Sequence, residues 1–165
     1  MPKLFTKFLQ TVCLTACLTV CLATYSATLT GRVVKVSDGD TITVLDAVNV
    51  QHKIRLYGID APEKKQAFGQ VSKKHLSSLV AGKAVRVEYS KKDKYGRILG
   101  TVYVGDTDIN LKMIADGLAW HYKKYDQTPA YAKAEDAARS KGLGLWHDPK
   151  PVEPETFRHT PSVRR

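Results

Sequence analysis

The stretch Thr28–Ile59 reads TLTGRVVKVS, then DGD, then TITVL, DAVN and VQHKIRLYGI. Its first part, Thr28 to Ser37, alternates and is rich in β-branched residues, the pattern of a strand. Asp38-Gly39-Asp40 interrupts it with turn chemistry. Thr41–Leu45 and Val50–Ile59 read as two more strands, with a turn near Ala47–Asn49 between them.

Beyond Ile59 the period changes. Gln66–Val80 carries Phe68, Val71, Leu76, Leu79 and Val80 at helical spacing, and Gly82 ends it. Ala84–Tyr89 alternates again, and Ile98–Val104 is a fifth strand closed by Gly105-Asp106. Asp108 caps a short helix, Ile109–Ala115, stopped by Gly117. Thr128-Pro129 starts a further helix that runs to about Ser140. Five strands with a helix between the third and fourth is the order of a five-stranded Greek-key barrel. The expected class is therefore α+β, a β-barrel with helices. Closure removes exposed sheet edges, which suits a small domain.

The chain has 165 residues, a length for one domain. An apolar fraction of 43% excludes global disorder, and the composition excludes collagen-like and coiled-coil chains. The 26 Lys and Arg outnumber 16 Asp and Glu, giving a formal charge of +10. That excess favours a polyanion as partner: nucleic acid, anionic membrane or acidic polysaccharide.

Residues 1–23 read as an export signal. Lys3 and Lys7 precede Phe8–Ala23, which is uncharged and apolar. With Gln10, Thr11, Thr15 and Thr19 it is short and polar for a membrane span, which needs about 20 mostly apolar residues. Cys21-Leu22-Ala23 suits cleavage after Ala23. Leu14-Thr15-Ala16-Cys17 resembles a lipobox, so a lipid anchor at Cys17 is the second reading. Cys13, Cys17 and Cys21 all lie in this segment. Cleavage after Ala23 leaves a domain, 24–148, with no disulfide and no cysteine metal site. Residues 149–165, with Pro151, Pro154, Pro161 and Arg164-Arg165, read as a basic and mostly disordered tail.

Unusual residues concentrate in three stretches: Asp38-Gly39-Asp40-Thr41, Arg55 through Asp60-Ala61-Pro62-Glu63, and Asp93-Lys94-Tyr95-Gly96-Arg97. If the second and third strands turn near residue 48, Asp40 faces about residue 56. Asp40, Arg55 and Asp60 then share one end of the barrel. Neighbouring carboxylates repel unless a cation sits between them. Oxygen donors suit a hard ion such as Ca²⁺, and the lack of Cys and paired His disfavours zinc. Glu63 has the chemistry of a general base, and Arg55 and Arg97 that of planar phosphate forks. Singly, each stretch has a plainer reading as a turn, a cap or a hairpin loop. Their coincidence in one small basic domain is not explained that way.

In this order the three stretches resemble the thermonuclease (staphylococcal nuclease-like) family, from about Thr28 to His147. Gly117-Leu118-Ala119 and Gly144-Leu145-Trp146 belong to the match. The resemblance implies an oligonucleotide-binding (OB) barrel that hydrolyses DNA and RNA with Ca²⁺. It implies Asp40 and Asp60 as side-chain calcium ligands, with Ala61 contributing a backbone carbonyl. It implies Arg55, Glu63 and Arg97 as the catalytic trio, and Lys94 and Tyr95 as contacts to the terminal phosphate of a nucleotide. Ala61 stands where the best-known member has threonine, a change a carbonyl ligand tolerates. The loop after Glu63 is shorter than in the family. Tyr122 and Tyr125 are the candidates for base stacking.

The expectation is an exported Ca²⁺-dependent nuclease, secreted or periplasmic, monomeric and without a protein partner. Lys64-Lys65, Lys73-Lys74, Lys91-Lys92 and Lys123-Lys124 would attract any phosphate backbone, and no element suits reading base edges in a groove, so low sequence specificity is expected. Trp120 and Trp146 read as core, Trp146 as a plug of the barrel. The five histidines show no ligand spacing. The rival is a non-catalytic OB-fold nucleic-acid-binding protein. A membrane or polysaccharide binder leaves the carboxylates unexplained.

Overall fold

The computed structural model describes residues 26–160. The segment read as an export signal, the lipobox-like stretch at Cys17, the expected cleavage after Ala23 and residues 161–165 lie outside the described residues. No helix among the described residues is long and apolar enough to cross a membrane.

The chain begins with a meander of β1 (Ala27–Val36), β2 (Thr41–Leu45) and β3 (Gln51–Leu56). Ser37 N donates to Thr41 O at 2.8 Å across the first turn. In the second turn Asp46 Oδ1 accepts from Val48 N and Val50 N, at 3.0 and 2.8 Å, and Asn49 takes the left-handed conformation. Such Asx bonding is why aspartate favours turns over strands. Two longer strands follow the first helix, β5 (Ala84–Lys92) and β6 (Ile98–Val104). The sheet order is β3-β2-β1-β5-β6, and β3 also pairs with β6 in parallel, Ile54 opposite Ile98. That pairing closes a five-stranded mixed barrel, the OB-type α+β fold expected. Ile42, Val44, Ile54, Val87 and Val102 are fully buried inside it. Gly100 keeps two strands close, since a Cβ there would meet Val87 Cγ1 at 2.5 Å.

The stretch Val50–Ile59, read as one strand, is two strands. Gly58 has φ +75°, a left-handed turn that glycine adopts without strain. The chain leaves the barrel there, and β4 (Ile59–Asp60) pairs with β8 (Trp120–His121) instead. Buried Asn110 holds the break. Its Nδ2 donates to Tyr57 O at 2.9 Å and Gly100 O at 3.2 Å, and its Oδ1 accepts from Val102 N at 3.1 Å.

Helix α1 (Gly69–Val80) starts three residues later than its apolar spacing suggests. Phe68 is left-handed, and Gln66 is occupied by the loop before it. Strand β7 (Thr107–Asp108) leads into α2 (Ile109–Ala115), which is capped as expected: Asp108 accepts from Leu111 N at 2.9 Å. Helix α3 spans Pro129–Ser140.

Trp146 does not plug the barrel. It packs edge-on against Trp120, ring centres 4.5 Å apart, in a separate cluster with Ala138 and Leu145. The cause is the close approach of Gly117 and Gly144, where Leu145 N donates to Gly117 O at 2.8 Å. Disorder from residue 149 onward is also corrected for the described part. Pro154–His159 form α4. A proline in the first turn fits a helix start, and buried Phe157 secures the helix.

Candidate active site

Five segments meet over one mouth of the barrel: the start of β2, β3, the loop after β4, the β5–β6 loop and α4. Between them lies a cleft of about 650 Å³.

The β2–β3 register sets the first part. Thr41 pairs with Arg55, and Leu56 N donates to Asp40 O at 2.8 Å. Asp40 and Arg55 therefore project together. Arg55 Nη2 donates to Asp60 Oδ1 at 2.8 Å, and Nη1 lies 2.5 Å from Asp40 Oδ2 as an ion pair. Asp40 Oδ2 also accepts from Ala61 N at 2.8 Å, and Thr41 Oγ1 donates to Asp40 Oδ1 at 3.1 Å. Gly39 permits this closeness, because a Cβ there would meet Ser72 Oγ at 2.1 Å. Asp40 is 6% exposed and Asp60 2%. Burial pushes the Asp40 carboxyl up to about 7, against the pull of the Arg55 guanidinium. Asp38 and Asp60 add to the rise. A buried carboxylate so placed is short of positive charge.

Glu63 rides on a loop locked to Gln66. Glu63 N donates to Gln66 Oε1 at 3.0 Å, and Gln66 N donates to Glu63 O at 2.8 Å. Gly69 packs under that carbonyl, where a Cβ would sit 1.9 Å from Glu63 O. The Glu63 carboxylate is 40% exposed and lines the cleft.

Asp93 organises the opposite loop. Its Oδ1 accepts from Tyr95 N and Arg97 N, and its Oδ2 accepts from Arg97 Nε at 2.7 Å. Burial would raise its carboxyl, but these bonds hold it below the usual range. They also aim the Arg97 guanidinium, whose terminal nitrogens make no hydrogen bond among the described residues. Lys94 and Tyr95 sit at the loop tip, Tyr95 71% exposed. Tyr122 and Tyr125 pack edge-on with centres 4.8 Å apart on the far wall, and Tyr57 Oη donates to Tyr125 O.

Of the residues singled out in the sequence, Asp40, Arg55, Ala61, Glu63, Lys94, Tyr95, Arg97, Tyr122 and Tyr125 all line this cleft. Asp60 does not. It sits behind the two arginines that bond it and lines a smaller recess beside Trp120 and Glu135.

The second of those arginines is Arg158, which sequence reasoning missed. Its Nη2 donates to Asp60 Oδ2 at 2.8 Å, and its Nη1 to Glu63 Oε1 at 2.9 Å. Burial works to lower its pKa, but the bonds to Asp60 and Glu63 hold it above its ordinary value. Glu155 and Tyr57 also line the cleft unforeseen, as does Lys91, expected only as part of a phosphate-attracting doublet. Burial and then its bond to Glu155 push the Tyr122 hydroxyl up to about 12. The one local clue to this wall was Pro154, a proline followed by helix formers.

Asp40 and Asp60 offer hard oxygen donors at buried positions, and the Ala61 amide bonds Asp40 Oδ2. Among the described residues no group of three or more His, Cys, Asp or Glu gathers as a ligand set. Two carboxylates completed by a carbonyl and water suit a hard divalent cation, not zinc.

The OB-type barrel carries over its mouth a cleft lined by carboxylates and arginines, groups suited to a phosphodiester. The family model described as staphylococcal nuclease homologue matches residues 53–148, over half of the chain, and the chain belongs to that family. It is 51% identical over 134 residues to a Haemophilus influenzae protein named uncharacterized endonuclease, covering 81% of this chain and 75% of the relative. It is 48% identical to an Escherichia coli protein of the same name, covering 81% and 87%. It is 43% identical over 141 residues to a micrococcal nuclease of Shigella flexneri, covering 78% and 79%. The protein is a hydrolytic nuclease, and nucleic acid is its substrate. Nucleases of this family are generally metal-dependent.

Proposed function

We propose that the protein is an exported Ca²⁺-dependent endonuclease that cuts DNA, RNA or both with little sequence preference. The observation that carries this reading is the convergence of Arg55, Glu63 and Arg97 on one cleft that Asp40 also lines, with Asp60 held behind it by Arg55. Asp40, Asp60 and the Ala61 carbonyl would hold the cation. When bound, Ca²⁺ supplies positive charge against the phosphate oxygens.

Glu63 Oε takes a proton from water as that water's oxygen bonds to phosphorus. The P–O5′ bond breaks, leaving the phosphate on the 3′ side, and the departing 5′ oxygen takes a proton from solvent to become a hydroxyl. Charge grows on the phosphoryl oxygens in between, and Arg55 and Arg97 meet it with planar forks. Lys94 and Tyr95 hold a terminal phosphate, and Tyr122 and Tyr125 stack on bases. The lysine doublets gather substrate without reading sequence.

The test is cleavage of DNA and RNA by the purified mature protein in millimolar Ca²⁺ and in chelator. Cutting is expected only with Ca²⁺. Equal cutting in both removes the calcium role, and a gel shift with no product in Ca²⁺ favours the non-catalytic barrel. We place the protein outside the cytoplasm, secreted or periplasmic, as a monomer. Intact mass of the exported chain separates cleavage after Ala23 from lipidation at Cys17.

A further inference from the structure

The chain after α3 returns to the cleft. Gln66 Nε2 donates to Val152 O at 2.6 Å, just before α4. Phe157 on α4 is buried, 6% exposed. Glu155 accepts from Tyr122 Oη at 3.1 Å and from Lys124 Nζ at 2.8 Å. These ties deliver Arg158 to the carboxylates. Its Nη1 donates to Asp60 Oδ1 at 3.1 Å as well as to Glu63, and Nη2 to Asp60 Oδ2. Arg55 also bonds Oδ1. Both oxygens of Asp60 are thus held by guanidinium groups, and one guanidinium spans Asp60 and Glu63.

A cation at this site needs an oxygen of Asp60, and a general base needs the Glu63 carboxylate unencumbered. Arg158 engages both. Its charge sits where it satisfies buried carboxylates that otherwise repel. The same helix, through Glu155, engages the hydroxyl of Tyr122, one of the two tyrosines proposed to stack on bases.

We propose that α4 is an autoinhibitory strap, with Arg158 a built-in surrogate for the divalent cation. In the metal-free protein it holds Asp60 and Glu63 together. Cation binding displaces it, and α4 leaves the cleft. This rests on the assignment of Asp60 to the cation and Glu63 to water. A ligand that must first open a closed state binds more weakly by the open fraction. A strap closed about nine-tenths of the time lowers apparent affinity roughly tenfold.

The experiment is calorimetric titration of the full chain with Ca²⁺ alone, for wild type, Arg158→Gln and Phe157→Ser. Both variants are expected to bind about tenfold tighter than wild type. Phe157→Ser keeps every charge, so its gain reports undocking and not the loss of a nearby cation. Hydrogen exchange of wild-type residues 150–160 is the second measurement, and Ca²⁺ is expected to speed it. If wild type binds Ca²⁺ but neither variant binds tighter, the strap is overturned and the calcium reading stands. Exchange unchanged by bound Ca²⁺ overturns it equally. If no form binds millimolar Ca²⁺, the strap and the calcium reading fail together.

Discussion

Asp40→Asn isolates the cost of the buried carboxylate. The side chains are isosteric, and the hydrogen bonds to Thr41 and Ala61 have counterparts; only the charge facing Arg55 Nη1 is lost. Asn Oδ1 can accept from Ala61 N, and its Nδ2 can donate to Thr41 Oγ1, while Arg55 keeps Asp60. What disappears is a carboxyl that burial has raised from 3.8 to about 7. Its folded pKa lies above its unfolded one, so the native state binds the extra proton. Below pH 4 both states are protonated and burial costs nothing at this group. As pH rises from about 4 to about 7 the unfolded state ionises freely and the native state does not. Metal-free wild type then loses up to ~1.4 kcal/mol per pH unit, and no more than ~4 kcal/mol in all. The Asn variant carries no such loss. Urea unfolding in chelator at pH 5 and pH 8 measures the difference. Relative to wild type, Asp40→Asn is expected to gain at least 1 kcal/mol between those pH values. Added Ca²⁺ at pH 8 is expected to stabilise wild type and leave the variant unmoved. A stability difference that is flat with pH refutes the reasoning.

Two further substitutions probe what supports the site. Asn110→Ala strips partners from the Tyr57 and Gly100 carbonyls and the Val102 amide, and is expected to cost about 2–4 kcal/mol in urea unfolding. Gly69→Ala forces a Cβ into the Glu63 carbonyl, so kcat is expected to fall at least ~10-fold while a gel shift on DNA changes little.

The barrel was legible because β1, β2, β5 and β6 each repeat every two residues against a single core. What that period cannot show is where a strand changes sheets. Val50–Ile59 reads as one apolar-patterned run; Ile59 falls out of phase with Ile54 and Leu56 only at Gly58, and the distant Asn110 holds the break. The onset of α1 was misjudged for a similar reason. Gln66 fits a helical face, but its side chain and backbone are taken by Glu63. The chemical residues stood out because turns and strand ends concentrate Asp, Gly and Arg within short stretches. Arg158 had no such context. It meets Asp60 across 98 positions, from a segment rich in proline and charge whose composition suggests a tail. Long-range ion pairs leave no periodicity to read. Trp146 was rightly expected to be buried, but a buried aromatic does not reveal which cluster buries it.

Glu63 is the group proposed to activate water. The direct measurement is single-turnover cleavage of a labelled DNA strand in millimolar Ca²⁺ by wild type and Glu63→Gln, beside binding of the same strand. Glutamine keeps the size and loses the base. The account predicts a rate lower by about 10²–10⁴-fold with binding within a few-fold of wild type. A variant that binds the strand and cuts it at the wild-type rate contradicts it.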